Sequence, residues 1–215
     1  GLADAPSVSV VIATRDDADA VVARARNVLE SAYDADRLEV VVALDAAGAR
    51  ATPEELTAAE PRLVVVRGDA PGGKSAALDA GVRAARGEIL VFTDTHQRFH
   101  SDAIRRLAGF LVEHDAFDAV SGALDLGAHP DGHKTLADHY WAYEKWLRAN
   151  EARVHSTVGV TGAIWAMRRA AWTPLPASVI LDDVYTPMRL VLAGARVGFE
   201  DAARAVDVRR FDAGQ

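Results

Sequence analysis

Residues 68–96, GDAPGGKSAALDAGVRAARGEILVFTDTH, run from a glycine-rich loop through an alanine-rich helix to an apolar strand closed by Asp94-Thr95-His96. The first eight residues satisfy Gly-x4-Gly-Lys-Ser, the spacing with which a phosphate loop converges backbone amides on an anion while its lysine neutralises the charge. A strand before, a helix after and Asp94 at the end of a later apolar strand, where a Mg2+-binding aspartate belongs, fit that reading. Topology opposes it. One helix alone separates Lys74 from the strand ending at Asp94, and the signature follows the third strand of the chain rather than the first. A plainer reading makes Pro71-Gly72-Gly73 an ordinary turn before a helix.

Upstream, short β-branched runs alternate with alanine-rich segments of helical spacing, the signature of an α/β fold. The strands are expected at SVSVVIA (7–13), LEVVVAL (38–44), RLVVVR (62–67) and EILVFT (88–93), with helices over 18–32, 53–59 and 75–85. The strands are almost continuously apolar, as parallel strands covered on both faces should be. Asp16, Asp17, Asp45, Lys74 and Asp94 follow their carboxyl ends, where open parallel sheets bind ligands. Downstream, the pattern predicts a helix over 101–114, a strand near 118–126, a long aromatic helix over 136–152 and a helix near 181–194. The loop GAHPDGHK (127–134) reads as a flexible insertion, and its His129 and His133 as solvated. With neither repeat nor low-complexity linker, residues 1–215 read as one domain, with a nucleotide half over about 7–100 and an acceptor half over about 101–212.

Composition narrows the functions. Half of the 215 residues are hydrophobic, enough for a sizeable core. The net charge of −7 argues against nucleic-acid binding, which needs a concentrated basic face. No cysteine is present, so disulfides, thiolate metal sites and cysteine nucleophiles are excluded. No apolar run approaches the about 20 residues of a membrane span, and GLADAPS lacks the parts of a signal peptide.

Asp94 and His96 flank one residue at a strand end, where a short turn can aim both side chains at one point. A carboxylate oxygen and an imidazole nitrogen can hold a divalent cation, with some preference for Mn2+ over Mg2+. The alternative for His96, a solvated side chain or a cap of the next segment, weakens because of its place beside Asp94 at the ligand edge.

Taken in order, SVSVVIATRDD, VVALDAAG, GGKSAALDAGVRAARGEILVFTDTH, GVTGAIWAMRR and LDDVYTPMRLVLAGARVGFEDAARA resemble the successive motifs of glycosyltransferase family 2, closest to its membrane-associated, polysaccharide-synthase-like branch. The resemblance spans about residues 7–212. It implies a GT-A fold, a Rossmann-like α/β domain with a mostly parallel central sheet flanked by helices. It further implies an inverting, metal-dependent sugar transferase that uses a nucleoside diphosphate sugar, expected to be a UDP-sugar, and a glycan or lipid-linked acceptor in cell-surface or exopolysaccharide synthesis. On it, Thr14, Asp17 and Asp45 meet the nucleoside. Lys74 matches the lysine of the family's Gly-Lys-x-x-Ala-Leu-Asn motif, with Asp79 where asparagine is usual. Asp94 contacts ribose or metal. His96 is a metal ligand in place of the last aspartate of Asp-x-Asp, as in polypeptide N-acetylgalactosaminyltransferases, so Mn2+ or Mg2+ is the implied cofactor.

Asp183 matches the general base of the family's acidic pair, and an inverting displacement independently needs one carboxylate to take the acceptor proton. Asp182 orients its neighbour or caps the helix, and capping is the competing reading for Asp183 too. Gly162 and Trp165 are expected to form the acceptor floor, the glycine allowing close approach and the indole offering a flat surface to a sugar. Trp141 and Trp146 are expected in the core. The processive members' Gln-x-x-Arg-Trp does not follow the acidic pair, and the sequence starts without methionine. Both are read as marks of an excised catalytic domain, with membrane association, at the cytoplasmic face, through segments outside this chain. A phosphate-loop NTPase and a catalytically silent nucleotide-sugar-binding domain are the alternatives.

Overall fold

A computed structural model describes residues 5–125, 136–177 and 179–207. The 127–134 loop with His129 and His133 lies outside them. In chain order the elements are β1 (Val8–Thr14), α1 (Ala18–Leu29), β2 (Leu38–Leu44), α2 (Pro53–Ala59), β3 (Leu63–Arg67), α3 (Lys74–Ala84), β4 (Ile89–Thr93), β5 (Gln97–Phe99), α4 (Ala103–Glu113), β6 (Phe117–Asp125), α5 (Leu136–Val154), β7 (Trp165–Arg168), α6 (Asp182–Leu192) and β8 (Arg196–Asp207). One eight-stranded sheet runs β3-β2-β1-β4-β7-β6-β8-β5. β7 and β5 pair antiparallel with their neighbours, and the other contacts are parallel.

The strand patterns explain the layering. Along β1, Val8, Val10 and Ile12 pack with Val21, Val28, Leu56, Ile104 and Leu107 on the face covered by α1, α2 and α4. Val11, one residue out of phase, joins Leu78, Val82, Leu90, Phe92 and Leu190 on the face of α3 and α6. Every large side chain among these is at most 8% exposed. Burying each contributes about 1.5–3 kcal/mol before chain entropy is counted.

Boundaries follow local chemistry. Thr52 and Glu55 form a reciprocal capping box with Pro53 opening α2. α1 stops at Leu29, short of the expected residue 32, because the Ala32 amide bonds to the Ser101 carbonyl at 2.7 Å instead of continuing the helix. β5, β7 and β8 were not expected as strands. The first two are only three and four residues long, and β8 carries Glu200, Asp201 and Arg204 within its run.

Trp165 is a correction. It lies on β7, is 1% exposed and stacks on Phe92 with ring centroids 4.3 Å apart. Its ring is core, because β7 is the strand between β4 and β6 and that face of it is covered. Trp146, expected in the core, is 61% exposed and stacks with Tyr143, whereas Trp141 is partly buried against the core as expected.

Candidate active site

β1, β2 and β4 are adjacent and parallel, so the loops after them open on one edge. There Ala13, Thr14, Arg15, Asp45, Lys74, Ala77 and Asp94 line a cleft of about 230 Å³. A larger groove of about 310 Å³ on α4, walled by Arg105, Phe110, His114 and Glu200, touches none of the candidate residues.

The glycine loop is wrapped around a carboxylate of the protein itself. Asp45, 3% exposed at the end of β2, accepts from the Gly73 amide at 2.7 Å, the Ala47 amide at 2.9 Å and Arg15 Nε at 2.6 Å. Burial opposes ionisation of Asp45, but these donors outweigh it and hold its pKa below the usual carboxylate value. Gly72 and Gly73 have φ of +99° and +108°. A Cβ on Gly72 would also lie 2.7 Å from Asp45 Oδ1 and 2.5 Å from the Ala47 nitrogen, so only glycine fits. This rules against the phosphate-loop reading: a Gly73 amide that an NTPase would aim at phosphate is given to Asp45, and β3, which leads into the loop, is the edge strand.

From the first turn of α3, Lys74 reaches across the cleft. Its Nζ is 3.0 Å from Asp182 Oδ1 and 3.9 Å from Asp94 Oδ1. Burial disfavours the ammonium, but Asp182, Asp94 and Asp183 more than compensate and raise its pKa. The Ser75 hydroxyl donates to the Val179 carbonyl at 3.0 Å, tying the same turn to the segment ahead of α6. Asp79, standing where asparagine is usual, accepts from Trp172 Nε1 at 3.2 Å and from the Leu175 amide, which pins the 172–175 segment to α3.

Asp182 and Asp183 open α6, whose N-terminal dipole favours negative charge. Neither caps it, since the capping position is Leu181 and carries no side-chain bond. Asp182 is 6% exposed and paired with Lys74. Asp183 is partly buried, and burial followed by the Asp182 charge raises its pKa against the pull of Lys74 and Arg148. Pro187, inside α6, has no N–H to offer the carbonyl of Asp183 four residues back. That carbonyl accepts instead from the Val160 amide at 2.9 Å, which draws the 160–163 turn onto the acidic pair. A Cβ on Gly162 would lie 3.4 Å from Asp183 Oδ2, so Gly162 does lie against this carboxylate. Arg148 of α5 donates to Thr161 in the same turn and pairs with Glu144 at 3.5 Å.

Asp94 and His96 sit beyond β4, 42% and 43% exposed. The Asp16 carboxylate is 3.4 Å from His96 Nε2, accepts from Thr95 and Thr14, and pairs with Arg50 at 3.1 Å. Burial works against the charge on Asp16, yet those partners keep its pKa low. Asp17 caps α1 through the Ala20 amide. The acidic residue of this loop that meets the candidate metal segment is therefore Asp16, a contact the sequence reading did not foresee, while Asp17 turns its carboxylate to the start of α1. The signal was available: the residue immediately before a helix is the one that caps it.

Among the described residues, no three His, Asp or Glu side chains gather as a ready-made metal cage. The donor types of Asp94 and His96, one carboxylate and one imidazole, each exposed at this edge, suit a divalent cation whose remaining positions ligand oxygens would fill.

The family profile described as Glycosyl transferase family 2 matches residues 9–173. The chain belongs to that family. It is similar to the succinoglycan biosynthesis protein ExoO of Rhizobium meliloti (strain 1021), 32% identical over 124 residues covering 54% of this chain and 34% of the relative. The structure of the mannosyltransferase PcManGT from Pyrobaculum calidifontis, solved in complex with GDP-Man and Mn2+, superposes with a TM-score of 0.78 at 25% identity, over 97% of this chain and 59% of that one. The matches thus span about a third of the curated relative and under two thirds of the solved one. The fold is GT-A, as the family resemblance implied. No helix among the described residues is long and apolar enough to cross a membrane.

Proposed function

We propose that this domain transfers a sugar with inversion from a nucleoside diphosphate sugar to an acceptor hydroxyl. The observation that carries the reading is Lys74, whose ammonium stands between Asp94 on the donor side and Asp182 on the acceptor side. The donor diphosphate lies along Lys74 and the Asp94–His96 segment. Asp183 takes the proton as the acceptor oxygen attacks the anomeric carbon. The bond from that carbon to the diphosphate oxygen breaks, and the nucleoside diphosphate leaves. A carboxylate with a raised pKa is a stronger base than an ordinary one, which suits that task. A divalent cation held by Asp94 and His96, Mn2+ or Mg2+, would supply neutralisation of the leaving charge.

The nucleoside is assigned as uridine on the family resemblance; guanosine is the second reading, favoured by the neighbour that holds GDP-Man. Exposed Ile180, Leu181 and Val184 flank the acidic pair at 87%, 62% and 39% exposure, which supports an acceptor with an apolar portion, a glycan carried on a lipid, at the cytoplasmic membrane face. Similarity to a succinoglycan biosynthesis protein supports a role in exopolysaccharide assembly.

Calorimetric titration with UDP, GDP and ATP, each with and without Mn2+, tests the donor side. One diphosphate should bind with a gain from Mn2+, and ATP should not bind. Silence with all three at millimolar concentration would sink the assignment. A catalytically silent binding domain predicts normal binding and no turnover of any donor, including hydrolysis to free sugar, in wild type and Asp183→Asn alike.

A further inference from the structure

Arg24 lies in the middle of α1 and is 1% exposed, an expensive place for a guanidinium unless its donors are satisfied. They are met by neutral oxygens. Nε donates to the Asp94 carbonyl at 3.2 Å, Nη2 to the Thr93 hydroxyl at 2.9 Å, and Nη1 to Asn27 Oδ1. The guanidinium carbon sits 4.0 Å from the centroid of Phe99. Asn27 completes the grip on β5, accepting from the Phe99 amide at 2.9 Å and donating to the Phe99 carbonyl at 3.2 Å. Thr93 just before the Asp94–His96 segment, Asp94 at its start and Phe99 closing β5 after it are therefore all held against one guanidinium. Thr93 extends the network by donating to the Ala163 carbonyl at 2.8 Å, next to Gly162.

We propose that Arg24 is a positioning residue for the metal segment, holding the Thr93 hydroxyl, the Asp94 carbonyl and the Phe99 ring so that Asp94 and His96 present their side chains to a divalent cation. This role rests on the reading of Asp94 and His96 given above. The planar fork holds three acceptors in different directions, which the single ammonium of lysine cannot do. Arg24 touches neither substrate nor metal; it acts through the backbone that carries the ligands.

The test compares wild type, Arg24→Lys and Thr93→Val. Affinity for the diphosphate that wild type prefers, UDP or GDP, is measured by calorimetry with and without Mn2+, and free Mn2+ by its paramagnetic resonance signal. Arg24→Lys should weaken the binding of Mn2+ in the nucleotide complex by about 10- to 100-fold, the usual effect of removing a partner that orients metal ligands. Its affinity for metal-free nucleotide should stay at the wild-type value, and Thr93→Val should show a smaller loss of the same kind. A purely structural role would lower the melting temperature and leave the Mn2+ gain of the folded protein intact. If Arg24→Lys does not fold, Thr93→Val decides alone. A wild-type protein without any Mn2+ gain overturns the metal reading itself and this role with it. A wild-type gain kept by the folded variants overturns only the role of Arg24.

Discussion

Two carboxylates mark the proposed nucleotide and acceptor ends of the site, and their surroundings differ in kind. Asp45, at the nucleotide end, is buried under two backbone amides and Arg15, which hold its pKa down. Asp183, at the acceptor end, has its pKa raised by burial and by the charge of Asp182. One is a fixed anion around which a glycine loop is built. The other is a group kept short of compensation, as a base must be if it is to accept a proton. Lys74 ties the two ends together, since it begins the helix that the Asp45 loop starts and ends on Asp182.

Asp183→Asn should separate the two ends most sharply. Loss of a positioned general base costs about 10²–10⁴-fold in rate, while nucleotide binding measured by calorimetry should persist. Full activity in this variant would mean that the contrast between the two carboxylates has no catalytic content.

Asp45→Asn is the reciprocal case. An amide can keep its oxygen on the Gly73 and Ala47 amides, but its NH2 then faces Arg15 Nε and the charge that strengthens these hydrogen bonds is gone, a loss of about 1 kcal/mol. Denaturant unfolding should record that loss, together with weaker nucleotide binding as the turn ahead of Lys74 loosens. Unchanged stability would show that the glycine loop stands without its anion.

The two groups also predict opposite pH effects. Asp45, with its pKa lowered, contributes stability above the usual carboxylate value that is lost as pH falls through its folded pKa. Asp183, with its pKa raised, contributes stability at low pH that is lost as pH rises through its folded pKa. Melting temperatures at neutral pH should therefore rise in Asp183→Asn and fall in Asp45→Asn. The acid limb of kcat should lie above the ordinary carboxylate range. In Lys74→Met, at saturating donor, it should move higher still, because Lys74 is one of the charges that pulls the Asp183 pKa down.

The nucleotide end was the more legible in sequence. β2 and α2 carry the bounds that the apolar run and Pro53 predict, and Lys74 and Asp94 fall together as their strand ends require. The acceptor end was less so, because its geometry depends on contacts between distant segments. Trp165 reads as a sugar platform until β7 is seen between β4 and β6, and Trp146 reads as core until its place on the outer side of α5 is known. Arg24 gave no signal at all: an arginine in an alanine-rich helix looks solvated, and only the return of β4 and β5 onto α1 buries it.

The smallest effect expected is at Gly162, and it bears on how the acceptor end is kept open. Gly162 has no positive φ, and a methyl group there would meet Asp183 Oδ2 at 3.4 Å, an ordinary contact. Gly162→Ala should therefore fold, and should gain about 0.4–1 kcal/mol from a less flexible unfolded chain. The same methyl would cover the carboxylate oxygen that an acceptor hydroxyl has to approach, withdrawing it further from water and raising its pKa again. A higher melting temperature combined with a raised acceptor KM and unchanged donor affinity would show that glycine is kept for access and not for backbone conformation. A stabilised variant with normal acceptor kinetics would mean that the acceptor reaches Asp183 from another side.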